Sequence, residues 1–405
     1  MRILYLCHRI PYPPDKGDKI RAFHQLRAMA ARHEVDVFTL ADDAGDLAHR
    51  EALGAHCHRL TVARVHPKAA RLRSLPYLLT RTALTVPYFY SAELEAEVRR
   101  ALAAHSYDRI FVYCSAMFQY VEVVDGIPLV IDLVDVDSDK WRQYAAFTRF
   151  PFSAVYRREG RTLQAYERRA CEKAACVLVT TEREAQLARR IAPAARVEVL
   201  PNGVDGEYFK PDSGAGREAA AILTGDMSYF PNEAAAIFFA REVLPLIRRS
   251  VEGARFLIVG RNPGRKVREL GRIEGVEVTG FVPDVRDWLR KARVAVAPFT
   301  IAAGIQNKIL EAMAYGLPVV ATPRAAQGLS PRVAGVVDTG DTAEELASKV
   351  TALLRDVASA RRKGAEGRRL VTEDYSWEQA LDRLLQLVED PVSAKLPWRK
   401  APMPV

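Results

Sequence analysis

One short stretch of the chain has residue types and spacing that suit an anion-binding site. It runs from Gly304 to Thr322 and has the pattern of a loop, a helix and a buried strand. A helix that begins after a loop offers free backbone N–H groups and the positive end of its dipole, and both attract an anion. Lys308 in the first turn can meet a phosphate, and Glu311 one turn later can meet sugar hydroxyls. The stretch predicts a site for a nucleotide-linked ligand, formed by Gly304, Ile305, Gln306, Asn307, Lys308 and Glu311.

Other candidate residues follow apolar strand patterns elsewhere in the chain. Arg261 follows Arg255–Gly260 and is either a second phosphate ligand or part of a surface ion pair. Asp135 and Asp137 follow Leu129–Val134, so both side chains can project from the same edge of a sheet. Two carboxylates can orient an acceptor hydroxyl, serve a structural polar role or bind a divalent cation. We favour the first two roles over a metal site.

Strand and helix patterns alternate along the whole chain, which is typical of parallel sheets covered on both faces. Pro201-Asn-Gly-Val-Asp205 has the composition of a turn and separates two sets of strands. The predicted strands of the first set are Arg2–Cys7, Val35–Leu40, Arg109–Tyr113, Leu129–Val134, Val177–Thr180 and Val197–Leu200. Those of the second set are Ala221–Leu223, Arg255–Val259, Val276–Thr279, Val294–Ala297, Val319–Ala321 and Gly335–Val337. Doubly wound sheets bind ligands beyond the carboxyl ends of their strands, so we expect the active site in a cleft between two such domains.

Length and composition agree with a two-domain protein of the cytoplasm. The 405 residues exceed what one core usually serves. No apolar run approaches the roughly 18 residues that span a bilayer, and the N-terminus lacks the pattern of a signal peptide. The five cysteines are scattered without a CxxC pair, which indicates reduced thiols in the cytoplasm.

The basic residues are unevenly placed. The net charge is +9, and residues 52–92 contain six Lys or Arg but no Asp or Glu. The sequence has no zinc-finger, KH or RRM pattern, so we do not expect nucleic acid as a partner. Basic residues mixed with aromatic ones predict either peripheral attachment to an anionic membrane surface or an ordinary solvated face.

Three segments resemble the glycosyltransferases of the GT-B fold, family 4. They are the loop Pro11–Arg21 with Gly17, the interdomain segment Val199–Pro211 and the stretch 304–322. Within that family, Asp135–Trp141, Tyr229–Asn232 and Gly304–Lys308 are most similar to sugar transferases associated with bacterial exopolysaccharide (PEP-CTERM-type) gene clusters.

This resemblance implies an α/β protein with two Rossmann-like domains facing each other across a cleft. It implies transfer of a sugar from a nucleotide diphosphate donor, with retention, to a lipid-linked or polysaccharide acceptor, without a metal or other cofactor. Glu311 would hold the ribose, and Lys308 and Arg261 the diphosphate. Gly17 is either the point where the backbone approaches a phosphate of the donor or a simple turn residue. The chain departs from the family in having Ala303 in place of the usual first Glu, and in lacking a basic residue in Gly225–Asn232.

The expected division is an acceptor-side domain at 1–203, a donor-binding domain at 204–375, a helix at 376–390 that packs back toward the first domain, and a flexible tail at 391–405. Two other functions stay open. One is a nucleotide-sugar epimerase of the same fold, and the other is a non-catalytic nucleotide-sugar-binding protein, which the Ala303 substitution leaves open.

Overall fold

The chain divides into two units, each built around its own parallel sheet. A computed structural model describes residues 1–14, 17–211, 217–302 and 304–390. The first unit comprises residues 1–201 and 380–390, and the second comprises Asn202–Gln379. Ala303 and the predicted tail at 391–405 lie outside the described residues.

The first unit has a doubly wound sheet. Within the described residues its strand order is β3-β2-β1-β4-β5-β6-β7, and all pairs are parallel. The order reverses between β1 and β4, which are neighbours although two strands separate them in sequence. The strands are β1 (Arg2–Cys7), β2 (Glu34–Ala41), β3 (Arg59–Arg64), β4 (Arg109–Tyr113), β5 (Leu129–Val134), β6 (Cys176–Val179) and β7 (Val197–Val199).

The second unit repeats this plan. The sheet order among its described residues is β10-β9-β8-β11-β12-β13, again with parallel pairs, and the reversal lies between β8 and β11. Ligands bind at such reversals, beyond the carboxyl ends of the strands. The strands are β8 (Ala220–Thr224), β9 (Arg255–Val259), β10 (Val276–Gly280), β11 (Val294–Ala297), β12 (Val319–Ala321) and β13 (Asp338–Thr339).

Helices cover the sheets. The described α-helices are α1 (Gly17–Ala30), α2 (Ala44–Leu47), α3 (Arg50–Gly54), α4 (Pro67–Ser74), α5 (Thr85–Tyr88), α6 (Ala92–Ala104), α7 (Asp137–Ala146), α8 (Phe152–Lys173), α9 (Glu182–Ile191), α10 (Phe230–Phe238), α11 (Leu244–Arg248), α12 (Arg265–Leu270), α13 (Arg286–Leu289), α14 (Asn307–Ala314), α15 (Pro323–Ala326), α16 (Pro331–Ala334), α17 (Ala343–Arg355), α18 (Val357–Asp374) and α19 (Trp377–Glu389). Leu75–Leu79 and Ser115–Tyr120 form 3-10 helices, and Phe239–Val243 is a π-helical segment. None of the helices in the described ranges is long and apolar enough to cross a membrane.

The last helix contributes its apolar side chains to the core of the first unit. Ala380, Leu384 and Val388 of α19 are buried in the cluster that contains Tyr5 of β1. The Arg109 side chain of β4 donates a hydrogen bond of 2.8 Å to the Val388 carbonyl oxygen. Both contacts join residues that are distant in sequence, so the C-terminal helix is part of the core of the first unit.

The predicted fold class is confirmed, but one predicted strand is wrong and one strand was missed. Gly335–Val337 is a turn, because the N–H groups of Val336 and Val337 bond back to α16, and the strand follows at β13. The sequence prediction also missed β3, which lies at the edge of its sheet within the basic window. Only one of the six residues of β3 is fully buried, so its apolar signal is weak.

Candidate functional site

The N-terminus of α14 lies at the carboxyl end of the second sheet, as the order of strand, loop and helix requires. Its N-cap residue, Gln306, makes no side-chain capping hydrogen bond. Gly304, before it, has a φ of 57°, a left-handed conformation that favours glycine. A Cβ added at Gly328 would lie 2.2 Å from the Gly304 carbonyl oxygen, so this loop is closely packed. The Ile309 N–H bonds to the Gln306 carbonyl oxygen over 2.8 Å, whereas none of the described residues accepts from the N–H groups of Asn307 and Lys308, which can therefore bind an anion.

Lys308 is held in an orientation suited to phosphate. Its Nζ donates a hydrogen bond of 2.6 Å to Asn232 Oδ1 and lies 4.4 Å from the centre of the Phe299 ring. Burial lowers the pKa of Lys308 to about 8, and the nearby Glu311 carboxylate opposes that shift. An ammonium group that has lost part of its hydration gains more from a bound anion than an exposed one does.

Glu311 lies one helical turn after Lys308 and is half-buried. Burial raises the pKa of its carboxyl group, and the Lys308 charge works against this shift. Its carboxylate makes no hydrogen bond to any of the described residues. Both oxygens are therefore available to hydroxyl groups of a ligand.

Two glycines let the ends of β8 and β9 come close together beside Lys308. Gly225 and Gly260 have φ values of 142° and 150°. A Cβ at Gly260 would lie 1.7 Å from the Gly225 carbonyl oxygen, and one at Gly225 would lie 3.4 Å from Lys308 Nζ. A side chain at Gly260 would prevent this close approach, and one at Gly225 would occupy the space next to Lys308 Nζ.

Arg261, predicted as a phosphate ligand, is at this same edge but interacts with a carboxylate. Its Nε lies 3.5 Å from Asp226 Oδ2, and Asn262 Nδ2 donates to the same oxygen over 3.1 Å. Burial alone would raise the pKa of Asp226, but hydrogen bonds from Ser228 and Asn262 and the charge of Arg261 lower it overall. Asp226 lies in Gly225–Asn232, the segment that has no basic residue. The Arg261 guanidinium is therefore next to this segment, whether it binds a phosphate or only pairs with Asp226.

The structure brings together the predicted residues of the second unit and adds a few that were not predicted. Asn307 Oδ1 accepts a hydrogen bond of 2.8 Å from Asn202 Nδ2, so this side chain is tied to the start of the unit. Asn232, the partner of Lys308, is 4% exposed. In the sequence, Asn232 is marked only by its place in Tyr229–Asn232; neither its burial nor its partner was predictable.

In the first unit, Asp135 follows β5 at the carboxyl edge of the sheet. Its Oδ1 accepts a hydrogen bond of 3.0 Å from the Thr180 hydroxyl, at the end of β6. Burial, followed by the negative charge of Glu184, raises the pKa of Asp135 to about 7. The carboxyl group therefore changes its charge near neutral pH, as groups in functional sites often do.

The backbone is strained next to Asp135. Val134 has a φ of 65°, and Cys114, at the end of the neighbouring β4, has a φ of 75°. Such values are unfavourable for a β-branched residue and concentrate at functional sites. The strain lies at the edge where a doubly wound sheet binds ligands.

Asp137 and Gly17 lie at helix starts in the first unit. Asp137 is the first residue of α7, and its Oδ1 lies 3.7 Å from Lys140 Nζ one turn later. Gly17 is the exposed first residue of α1, directly before Asp18, whose carbonyl oxygen accepts from the Tyr113 hydroxyl of β4. Within the described ranges, no group of three or more His, Cys, Asp or Glu side chains has an arrangement that could hold a metal ion.

Comparison with known families gives a match in each half of the chain. Residues 19–203 match the family described as glycosyl transferase 4-like domain. Residues 219–356 match the family described as glycosyl transferases group 1. The second match contains the whole of the α14 site.

Curated relatives are mannosyltransferases. A GDP-mannose-dependent alpha-(1-6)-phosphatidylinositol monomannoside mannosyltransferase of Mycobacterium tuberculosis is 26% identical over 244 residues, which cover 54% of this chain and 62% of the relative. An MMP alpha-(1->4)-mannosyltransferase of Mycolicibacterium hassiacum is 28% identical over 215 residues, which cover 49% of each protein. The chain thus matches less than two thirds of the length of these relatives.

Solved structures with the same fold cover nearly the entire chain. The sucrose-phosphate synthase of Thermosynechococcus elongatus has a TM-score of 0.72 at 20% identity, with 98% of this chain and 100% of the other covered. Anabaena HepE in complex with UDP and glucose has a TM-score of 0.67 at 17% identity, with 96% and 99% covered. Together with the two matched domains and the two doubly wound sheets, these similarities show that the chain belongs to the glycosyltransferases of the GT-B fold.

Proposed function

We propose that this protein transfers a sugar from a nucleotide diphosphate donor to a hydroxyl group of a lipid-linked or polysaccharide acceptor. The observation that supports it most is the pair formed by Lys308 and Glu311 at the start of α14. A cation beside free helix amides suits a diphosphate, and an unbonded carboxylate one turn later suits the ribose hydroxyls. The M. tuberculosis relative depends on GDP-mannose and HepE binds UDP, so both guanine and uracil nucleotides are candidate donors.

Retention of the anomeric configuration is part of the proposal. In such a reaction a phosphate oxygen of the donor can accept the proton of the acceptor hydroxyl as the new bond forms on the same face of the sugar. The name of the M. tuberculosis relative gives GDP-mannose as donor and an alpha-(1-6) linkage, and that of the M. hassiacum relative gives an alpha-(1->4) linkage. These alpha linkages support the same stereochemistry here. Lys308 and the amides of α14 would stabilise the charge on the departing diphosphate.

For the acceptor, the proposal assigns Asp135 and Asp137 to hydroxyl binding in the first unit. The M. tuberculosis relative acts on a phosphatidylinositol monomannoside, which supports a lipid-linked acceptor. An exopolysaccharide or another cell-surface glycan made at the inner face of the plasma membrane fits this acceptor class.

Asp135→Asn is expected to raise thermal stability above neutral pH while it lowers activity toward the acceptor. The pKa of Asp135 is raised in the folded protein, so its ionisation disfavours folding, and this cost grows from about pH 4 to 7 and is constant above. At pH 8 the free energy of unfolding of the variant should be higher than that of the wild type by about 1 kcal/mol or more, which corresponds to roughly 2–4 °C in Tm. At pH 4.5 the difference should be smaller. The matched control is Asp125→Asn, which changes an exposed carboxylate of the same unit. An equal or lower Tm at pH 8 would contradict the buried, charge-strained setting of Asp135.

A donor panel tests the proposed reaction. The protein is incubated with GDP- and UDP-sugars, with and without a lipid-linked glycan acceptor, and free nucleotide diphosphate and the sugar products are measured. We expect slow release of the nucleotide diphosphate from one donor and faster release with acceptor, with a new glycosidic bond of the donor's anomeric configuration. An altered nucleotide sugar without transfer would indicate the epimerase, and binding without turnover would indicate the non-catalytic protein.

The same assay tests whether the reaction needs a metal. If helix amides and cations carry the charge of the leaving diphosphate, turnover should persist after treatment with EDTA. Loss of turnover that a divalent cation restores would make Asp135 and Asp137 metal-ligand candidates and would overturn their assignment to the acceptor.

A further inference from the structure

Two neighbouring segments of the first unit expose large apolar side chains to solvent. One is the end of α4 with the 3-10 helix that follows, and the other is the connection between α7 and α8. Leu79 is 95% exposed and Phe150 is 82% exposed. The exposed apolar residues of the two segments are Leu72, Leu75, Tyr77, Leu79, Phe147, Phe150 and Phe152. We call these seven side chains the apolar tip.

Two polar residues of α8, the half-buried Arg158 and the buried Glu159, fix the two segments against each other. Arg158 donates hydrogen bonds to the carbonyl oxygens of Leu78 and Thr82 at 3.0 Å each and of Thr80 at 2.6 Å. Glu159, 2% exposed, accepts from the N–H groups of Leu84 and Thr85 at 2.7 and 2.9 Å. Phe152 lies six residues before Arg158, about 9 Å along the helix. The apolar tip is therefore one preformed surface rather than two unrelated loops.

The surroundings of the apolar tip are basic. Residues 52–92 and 140–158 contain no Asp or Glu, so neither segment brings an acidic side chain to this surface. Its exposed cations are Lys68, Arg71, Arg81, Arg149 and Arg157. Arg73 belongs to the scaffold, because it donates to the Pro87 and Tyr90 carbonyl oxygens at 3.0 and 2.6 Å.

We propose that the apolar tip inserts into the interfacial region of an anionic lipid bilayer, with the surrounding cations bound to lipid headgroups. Exposed leucine and phenylalanine within a basic rim fit the chemistry of such an interface. A second copy of the chain fits less well, because self-association through this surface would bring two groups of cations together. The inference concerns where the protein works and goes beyond its proposed reaction: charge attracts the protein to the membrane, and the apolar side chains retain it there.

Vesicle flotation with phosphatidylglycerol-containing and pure phosphatidylcholine vesicles tests this proposal. Three variants are compared with the wild type: an apolar-tip variant (Leu75→Gln, Leu79→Gln, Phe150→Gln), a charge variant (Lys68→Gln, Arg71→Gln, Arg149→Gln), and a control with Val123→Gln and Arg99→Gln. Val123 is 83% exposed and the Arg99 side chain 72% exposed, and both lie in the first unit outside the apolar tip. These two positions match the chemistry of the changes without touching the proposed surface.

The wild type should bind anionic vesicles and retain part of its binding in 0.5 M salt. At low salt the partition coefficient of the charge variant onto anionic vesicles should be about 100-fold lower than that of the wild type, since each of the three cations raises this coefficient about fivefold. The apolar-tip variant should lose tenfold or more, chiefly the salt-resistant part, and the control should bind like the wild type. The proposal would be overturned if the apolar-tip variant bound vesicles as well as the wild type does. It would also be overturned if the wild type formed concentration-dependent dimers that the apolar-tip variant did not form. Donor hydrolysis in solution reports separately on the reaction, and we expect it unchanged in all three variants.

Discussion

Replacing Lys308 with methionine should reduce kcat/KM for the donor by about 100-fold or more. The loss arises because a charge-assisted hydrogen bond contributes about 1.5–3 kcal/mol and stabilisation of a developing anion about 2.7–4 kcal/mol. Methionine keeps most of the length of the side chain and removes the charge, its cation–π contact with Phe299 and the hydrogen bond to Asn232. The fold should remain intact, because the change removes a partly desolvated cation.

The matched control for this change is Lys291→Met. Lys291 Nζ also lies over an aromatic ring, 3.9 Å from the centre of the Trp288 ring, but it precedes β11 and so lies near the amino end of that strand. The control should retain wild-type kinetics. Comparable losses in both variants would mean that Lys308 supports the unit generally and does not bind the donor.

The pKa of Lys308 provides a second test, the pH dependence of nucleotide binding. This dependence is expected if Lys308 binds the phosphate and not if its role is purely structural. Because that pKa is about 8 in the free protein, the lysine loses its proton as the pH rises through this value. Affinity for a nucleotide diphosphate should fall from pH 7.5 to 9.5, and binding near pH 8 should take up protons, measurable by calorimetry in buffers of different ionisation enthalpy. Lys308→Met should abolish both effects. If the variant kept them, another group would be the phosphate ligand.

The loop, helix and strand of the stretch 304–322 could be predicted from the sequence because the information for them is local. A buried strand, a glycine with positive φ and the first turn of a helix follow one another within the stretch that begins at Gly304. Parallel topology then requires the start of α14 to lie at the carboxyl edge of the sheet, since the helix must return from the end of one strand to the beginning of the next. No contact between distant parts of the chain is needed for this prediction.

Features that depend on distant contacts escaped prediction. Lys308 and Asn232 are 76 positions apart, and their hydrogen bond depends on how closely β8 and β9 approach through Gly225 and Gly260. The Asp226–Arg261 pair depends on the same approach. The apolar tip could not be found from hydropathy, because an exposed leucine and a buried leucine have the same hydropathy value. Only the structure shows which side of the segment faces solvent.

Glu311→Gln should weaken binding of the donor nucleotide about tenfold or more, with little effect on folding. A carboxylate that accepts two ribose hydroxyls contributes about 1.5–3 kcal/mol for each charge-assisted bond, and the neutral amide recovers only part of this. Calorimetry with the nucleoside diphosphate and its 2′-deoxy analogue separates the ribose contact from other effects: the variant should lose its preference for the ribose form. Glu344→Gln, an exposed change in the first turn of α17, is the control and should bind normally. If Glu311→Gln retained full affinity and the ribose preference, the carboxylate would have no contact with the nucleotide. Its raised pKa would then reflect only its burial beside Lys308.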